Sequence, residues 1–370
     1  MCLTGRRGSE LEAEKPAARA GSGRHFPGLR SADLLGRAKP VSGTAPAPTR
    51  MARSSPATKP ERIFSTGTFT FKTIKAIYAD SDEAVAAGKG AGVNLIRRQS
   101  DGVLYIEKLV PVSTSIQQAR AIAEIDALTQ LTLAGAPKYI NQMLESFLEP
   151  GAAFGSIILE YCEAGTAYDL IQRKTLERQQ PTEALIWHTL AGLSKALHFC
   201  HTGIDVDRFD LPPPQDWNTL CHLDLKPVNV FFTRDGSKNG IPRLVLGDFG
   251  CATTWQDIQD GTAKRTLQLR GTPGWFPPEC KASSEGGWDG DYGMPTDVWQ
   301  MGAVAQAISR LILVPDMSFV VRGRACGRQY SRELNGIVTI CMNPDPLKRP
   351  SAAKVAGEVK RQMEARGLVF

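Results

Sequence analysis

No C-x-x-C pair occurs among the eight cysteines of this 370-residue chain, and none of its apolar runs reaches the length of a membrane span. The cysteines stand singly at 2, 162, 200, 221, 251, 280, 326 and 341. That scatter excludes a disulfide scaffold and the common zinc ribbons. His198, Cys200, His201, Cys221 and His222 fall close together, but their spacings match no common zinc finger. Unpaired thiols fit a reducing compartment, the cytoplasm or the nucleus. With no run of ~18 apolar residues, no membrane partner is expected. A lasting excess of one charge is missing too. The formal net charge is +6, yet residues 1–60 hold 11 Lys+Arg against 4 Asp+Glu, and the remainder holds 33 against 34. The basic character belongs to the tail, so the folded part is not expected to bind nucleic acid through bulk charge.

Residues 1–60 are rich in Ala, Pro, Gly, Ser and Arg without a sustained apolar period, and are expected to form a disordered basic tail. Beyond them the chain is long enough for one large domain or two lobes, and 14 Phe, 7 Tyr and 6 Trp suit a real core. FTFKTIKAIYA (69–79) reads as a strand, and VNLIRRQSDGVLYIEKLV (93–110) as two strands joined at Ser100-Asp101-Gly102. In residues 116–134, Ile122, Ile125, Leu128 and Leu131 recur at helical spacing and predict a helix. FGSIILEYC (154–162) predicts a buried strand. From about 166 the pattern is mainly helical, over 182–201, 295–313 and 331–342. The segments 204–220, with three consecutive prolines, and 234–242 predict surface loops.

CHLDLKPVN (221–229) brings a carboxylate, an ammonium and an amide within six residues, with a histidine just ahead. Alone it reads as a charged surface turn. Downstream, LVLGDFGCA (244–252) ends a strand on Gly247 and presents Asp248, nineteen residues after Asn229. GTPGWFPPE (271–279), DVWQMG (297–302) and PLKRPSA (346–352) follow in order. With these in place the chain resembles the eukaryotic protein kinases, and through DLKPxN the serine/threonine type.

The resemblance implies an α+β, bilobal fold, with a small β-rich lobe carrying one helix (61–159), a hinge (160–166) and a larger helical lobe (167–366). It implies ATP and Mg2+ as cofactors and proteins as substrates; it leaves the oligomeric state open. Asp224 is then the candidate base, Lys226 the cation beside the transferred phosphate, and Asn229 and Asp248 the oxygen ligands for magnesium. Lys108 would hold the α- and β-phosphates and Glu124 would pair with it. Gly88, Gly90 and Gly92 of GKGAGV would cover the phosphates through their backbone. Backbone groups of Glu160 and Cys162 would meet adenine, with Leu159 gating the pocket behind. Arg349 would pair with Glu279, and Thr272 would bridge base and lysine. His222, Phe249 and Trp275 read as packing residues.

Three departures stand out. GKGAGV is one residue short of the G-x-G-x-x-G pattern; Ile106 stands where alanine is usual; and His-Leu-Asp replaces His-Arg-Asp. Leu223 cannot pair with a phosphate on the activation segment. Activity is therefore expected not to depend on phosphorylation at Thr253, Thr254, Thr262 or Thr266, unless Lys264, Arg265 or Arg270 takes the arginine's place. A pseudokinase scaffold of the same fold is the alternative.

Overall fold

The structure, a computed structural model, describes residues 62–78, 92–149, 151–207, 214, 216–238, 240–265, 271–282, 288–289 and 292–370. By its internal contacts the chain divides into Met1–Thr58 and Lys59–Phe370. Every described residue falls in the second, and the basic tail lies outside the described residues.

The first part is a six-stranded antiparallel sheet of β1 (Ile63–Ser65), β2 (Thr70–Tyr78), β3 (Gly92–Arg98), β4 (Leu104–Pro111), β5 (Met143–Phe147) and β6 (Phe154–Glu160), in the order β1-β2-β3-β4-β6-β5. The turn between β3 and β4 is closed by Gly102 N–H on Arg98 C=O at 2.9 Å, with Gly102 at φ 75°. That positive φ is why the Asp-Gly pair was legible as a turn. One face of the sheet buries Phe71, Ile96 and Ile158 under Phe64, Phe69, Tyr105 and Phe147. Helix α1 (Ser115–Leu133) packs on β4 and β5. Its start is set by a capping box, Thr114 Oγ1 accepting from Gln117 N–H and Gln117 Oε1 from Thr114 N–H, both at 3.2 Å.

The four apolar residues at helical spacing do not all lie on the buried face of α1. Ala121, Glu124, Ala127, Leu128 and Leu131 are buried, whereas Ile122 is 47% exposed. Strict i, i+3 steps turn 60° short of a full circle each time, so four such residues fan over about 180° and cannot share one face.

The second part holds α2 (Ala167–Glu177), α3 (Glu183–Thr202), β7 (Leu220–Cys221), β8 (Val230–Lys238), β9 (Ile241–Leu246), β10 (Thr253–Thr254), the short α4 (Trp255–Gln259) and α5 (Thr262–Arg265), α6 (Met294–Arg310), α7 (Met317–Val321), α8 (Arg332–Cys341) and α9 (Ala352–Glu364). Helices α3 and α6 are buried almost all round and pack on each other at the centre of this part. Close approach of α6 to α8 needs Gly302, where a Cβ would lie 2.9 Å from Cys341 Cβ. The stretch 234–242 is not the loop expected from sequence. β8 runs to Lys238 and β9 resumes at Ile241, with a register shift between Thr233 and Lys238 that absorbs the Asp-Gly turn signal inside one hairpin.

Candidate active site

The sheet's alternation sets Glu107 and Lys108 on opposite faces of β4. Glu107 is fully buried and accepts from Arg62 Nη2 (2.6 Å), Asn94 Nδ2 (2.9 Å) and Ser156 Oγ (3.0 Å). Lys108 turns the other way and donates to Glu124 Oε1 and to Asp248 Oδ1, each at 2.6 Å. Glu124 reaches it because α1 buries that face. Gly250 closes over the pair, and a Cβ there would stand 3.2 Å from Glu124 Oε2.

Asp248 follows β9 with φ 60°, a left-handed conformation uncommon for a residue other than glycine. The bend turns its carboxylate to Lys108. Neighbouring charge sets both groups. Burial alone would lower the Lys108 ammonium, but Asp248 and Glu124 beside it hold it well above its ordinary value. Lys108, against some cost of burial, holds the Asp248 carboxyl well below the usual carboxylate range.

The loop after β7 places the other half. Lys226 Nζ donates to Asp224 Oδ2 at 2.6 Å and also meets Thr272 Oγ1. Thr272 Oγ1 donates to Asp224 Oδ1 at 2.8 Å. Asn229 Nδ2 donates to Asp224 C=O at 2.8 Å and to Oδ2 at 3.3 Å. The two halves are tied by Gly247 N–H on Asn229 C=O at 3.0 Å, and by His222 Nε2 at 3.0 Å from Gly247 C=O. The His222 and Phe249 rings meet edge to face at 4.9 Å, and both are buried. Beneath them Asp297 of α6 is fully buried and accepts from His222 N–H (2.9 Å), Leu223 N–H (2.8 Å) and His201 Nε2 (2.9 Å).

Where β6 ends, Ala164 N–H donates to Phe232 C=O (3.0 Å) and Phe232 N–H to Gly165 C=O (2.8 Å), so the connecting stretch is seamed to β8. Glu160 N–H is used by Gln142 C=O at 2.9 Å, while the Cys162 N–H and C=O make no hydrogen bond among the described residues. Burial pushes the Cys162 thiol up to about 12, with Glu160 adding to it, so it is a packing group and not a nucleophile. Leu159 is buried in the main core and Ile106 packs against it. Gly92 opens β3 opposite Leu109. Gly88, Gly90, Thr266 and Arg270 lie outside the described residues, as do the side chains of Lys264 and Arg265.

Arg349 and Glu279 form a two-pronged pair, Nη2 to Oε2 at 2.7 Å, and Arg349 Nε holds Asn343 C=O at 2.8 Å. Trp275 is 4% exposed, a packing residue. Sequence reasoning missed Asp297 and also Asn141, whose Nδ2 donates to Glu160 C=O at 3.2 Å. The signal for Asp297 was an acid inside a stretch otherwise apolar enough to be buried; nothing local marked Asn141.

The family model for the protein kinase domain matches residues 80–359, about three quarters of the chain. The chain belongs to the protein kinase family. Human serine/threonine-protein kinase Nek2 is 26% identical over 306 residues, which cover 76% of this kinase and 62% of that relative. The G2-specific protein kinase fin1 of Schizosaccharomyces pombe is 27% identical over 235 residues, 62% of this kinase and 30% of the relative. The G2-specific protein kinase nimA of Emericella nidulans is 24% identical over 298 residues, 73% and 39%. This kinase thus spans less than two thirds of the length of the relatives it matches. Nek2 is a serine/threonine kinase by name, in line with the DLKPVN loop.

Proposed function

We propose that this kinase transfers the γ-phosphate of Mg·ATP to serine or threonine hydroxyls of protein substrates, with its activation segment held in place without phosphorylation. The observation that carries the first half is the meeting of Lys108, Glu124 and Asp248 beside the linked set Asp224, Lys226, Asn229 and Thr272. The donor set fits a hard cation. Asp248 Oδ2 and Asn229 Oδ1 accept no hydrogen bond among the described residues, and both are oxygens. A magnesium ion held there would neutralise triphosphate charge. Lys108 would hold the α- and β-phosphates, and Lys226 the phosphoryl group in transit. Asp224, its carboxylate fixed by Thr272 and Lys226, would accept the hydroxyl proton. The free Cys162 backbone groups suit the edge of adenine.

Support for the second half is the cluster around Leu223. This side chain is fully buried with Cys221, Ala263, Cys280 and Tyr292, and Ile258, Phe276 and Met294 pack on it. Apolar contact with α4 and α5 does the holding that an arginine–phosphate pair would otherwise do. Thr253 is buried, and Thr254 caps α4, accepting from Asp257 N–H at 3.1 Å. No disulfide joins cysteines among the described residues, which suits a reducing compartment.

The test is transfer of labelled phosphate from ATP to a generic basic protein. Wild type is expected to be active, and Asp224→Asn to lose about 10²–10⁴-fold in kcat. Nucleotide binding without transfer would make the protein a scaffold. Phosphatase-treated enzyme and the Thr262→Ala/Thr266→Ala double variant are expected to keep wild-type turnover; collapse of either removes the second half.

A further inference from the structure

We propose that Gln300 is a positioning residue for the transfer, one that grips the peptide groups on both sides of Asp224 and locks them to the segment carrying Thr272. The inference rests on the reading of Asp224 as the base. Gln300 lies on α6, one turn after Asp297, and is fully buried. Its Oε1 accepts from Leu225 N–H at 3.0 Å. Its Nε2 donates to Leu223 C=O at 3.2 Å and to Trp275 C=O at 3.0 Å. Both amide protons are therefore used, and the amide's orientation is fixed by partners of opposite kind.

The partners form a closed circuit. Leu223 C=O belongs to the peptide just before Asp224, and Leu225 N–H to the peptide just after it. From Asp224 the path runs through Oδ1 to Thr272 Oγ1 at 2.8 Å, and Trp275 N–H returns to Thr272 C=O at 3.0 Å. Trp275 C=O then closes on Gln300. One side chain thus sets the carboxylate's backbone and the segment whose threonine holds the carboxylate. Leu223 sits at φ 61°, a left-handed conformation unfavourable for a branched side chain. Such a conformation persists where its surroundings over-determine it. Asp297 takes the His222 and Leu223 N–H groups and Gln300 takes the Leu223 C=O and the Leu225 N–H, so one face of α6 holds four backbone groups between 222 and 225, while His222 and Asn229 take the N–H and C=O of Asp224. A proton acceptor displaced by about 1 Å costs on the order of 100-fold in rate, so loss of the grip should appear in turnover.

The test compares wild type with Gln300→Met, which keeps length and loses all three bonds. Gln300→Glu, which keeps an acceptor for Leu225 but sets a carboxylate against two carbonyls, is the second variant. The control is Gln306→Met on the same helix. Gln306 is equally buried, and among the described residues its amide serves Asp316 alone, accepting its N–H at 2.8 Å and donating to its C=O at 3.0 Å. All are assayed well below their melting temperatures. Both Gln300 variants are expected to lower kcat by about 10–100-fold, with the Mg·ATP dissociation constant changed less than about twofold. Amide exchange at Leu225 is expected to rise in Gln300→Met and not in Gln306→Met. A wild type without transferase activity overturns this inference together with the proposed function. An active wild type whose Gln300 variants match it in kcat overturns this inference alone. The same holds if Gln306→Met loses as much turnover as Gln300→Met, because general loosening of α6 would then explain the loss.

Discussion

Lys108 serves two partners, and neither is an immediate neighbour in sequence. Lys108 is held between an acid sixteen residues on and another 140 residues on. Glu107, one position away, is equally charged and wholly excluded from the site by the pleat of β4. A strand pattern carries that distinction, since adjacent residues must face opposite ways. Burial acts differently on His198, which is 7% exposed on α3. Desolvation, then the neighbouring His201, lowers its pKa below the ordinary histidine value of 6.5. The unfolded chain therefore takes up a proton near pH 6.5 that the folded chain refuses, and stability must fall as pH drops below that value. Urea midpoints at pH 7.5 and 5.5 should show the loss in wild type and a flatter profile in His198→Phe.

At the scale of elements, α1 shows what periodicity tells and what it does not. Its existence and length were legible, because apolar residues recur every three or four positions. Which residues face inward was not, since Ile122 and Leu128 are alike in type and only packing on β4 and β5 separates them. Leu128→Ala is expected to destabilise by about 2–5 kcal/mol and Ile122→Ala by no more than about 1 kcal/mol, read as shifts in denaturant midpoint. The β8–β9 hairpin was mistaken for a loop for a related reason. Gly and Asn-Gly signals mark a turn, but cannot say that the strands on both sides continue through a register shift.

Across the whole folded unit, two kinds of tie join distant parts. One is apolar and ionic burial. Arg349 has a fully buried side chain against Glu279, so Arg349→Ala strands a carboxylate and is expected to cost about 3–5 kcal/mol; thermal melts check it. The other is a tie that a ligand would reinforce. If Mg·ATP binds only the folded state, saturating nucleotide at about 100 times its dissociation constant adds about 2.7 kcal/mol of stability. Melting with and without Mg·ATP should show that gain in wild type and lose most of it in Lys108→Met, whereas Gln306→Met should keep it.

The family, the order of the parts and the catalytic-loop motif were legible in the chain alone, because residues 221–229 form one compact pattern that is matched again by LVLGDFGCA downstream. Thr272, Asp248 and Lys108 were also legible, as fixed members of a pattern. That Leu223 sits in an apolar cluster, and that Asp297 and Gln300 hold the backbone around Asp224, emerges only on folding. A buried polar side chain on a helix looks the same in sequence whatever it faces. Its partners are backbone groups, which carry no residue identity, and they are chosen only when two distant surfaces close on each other.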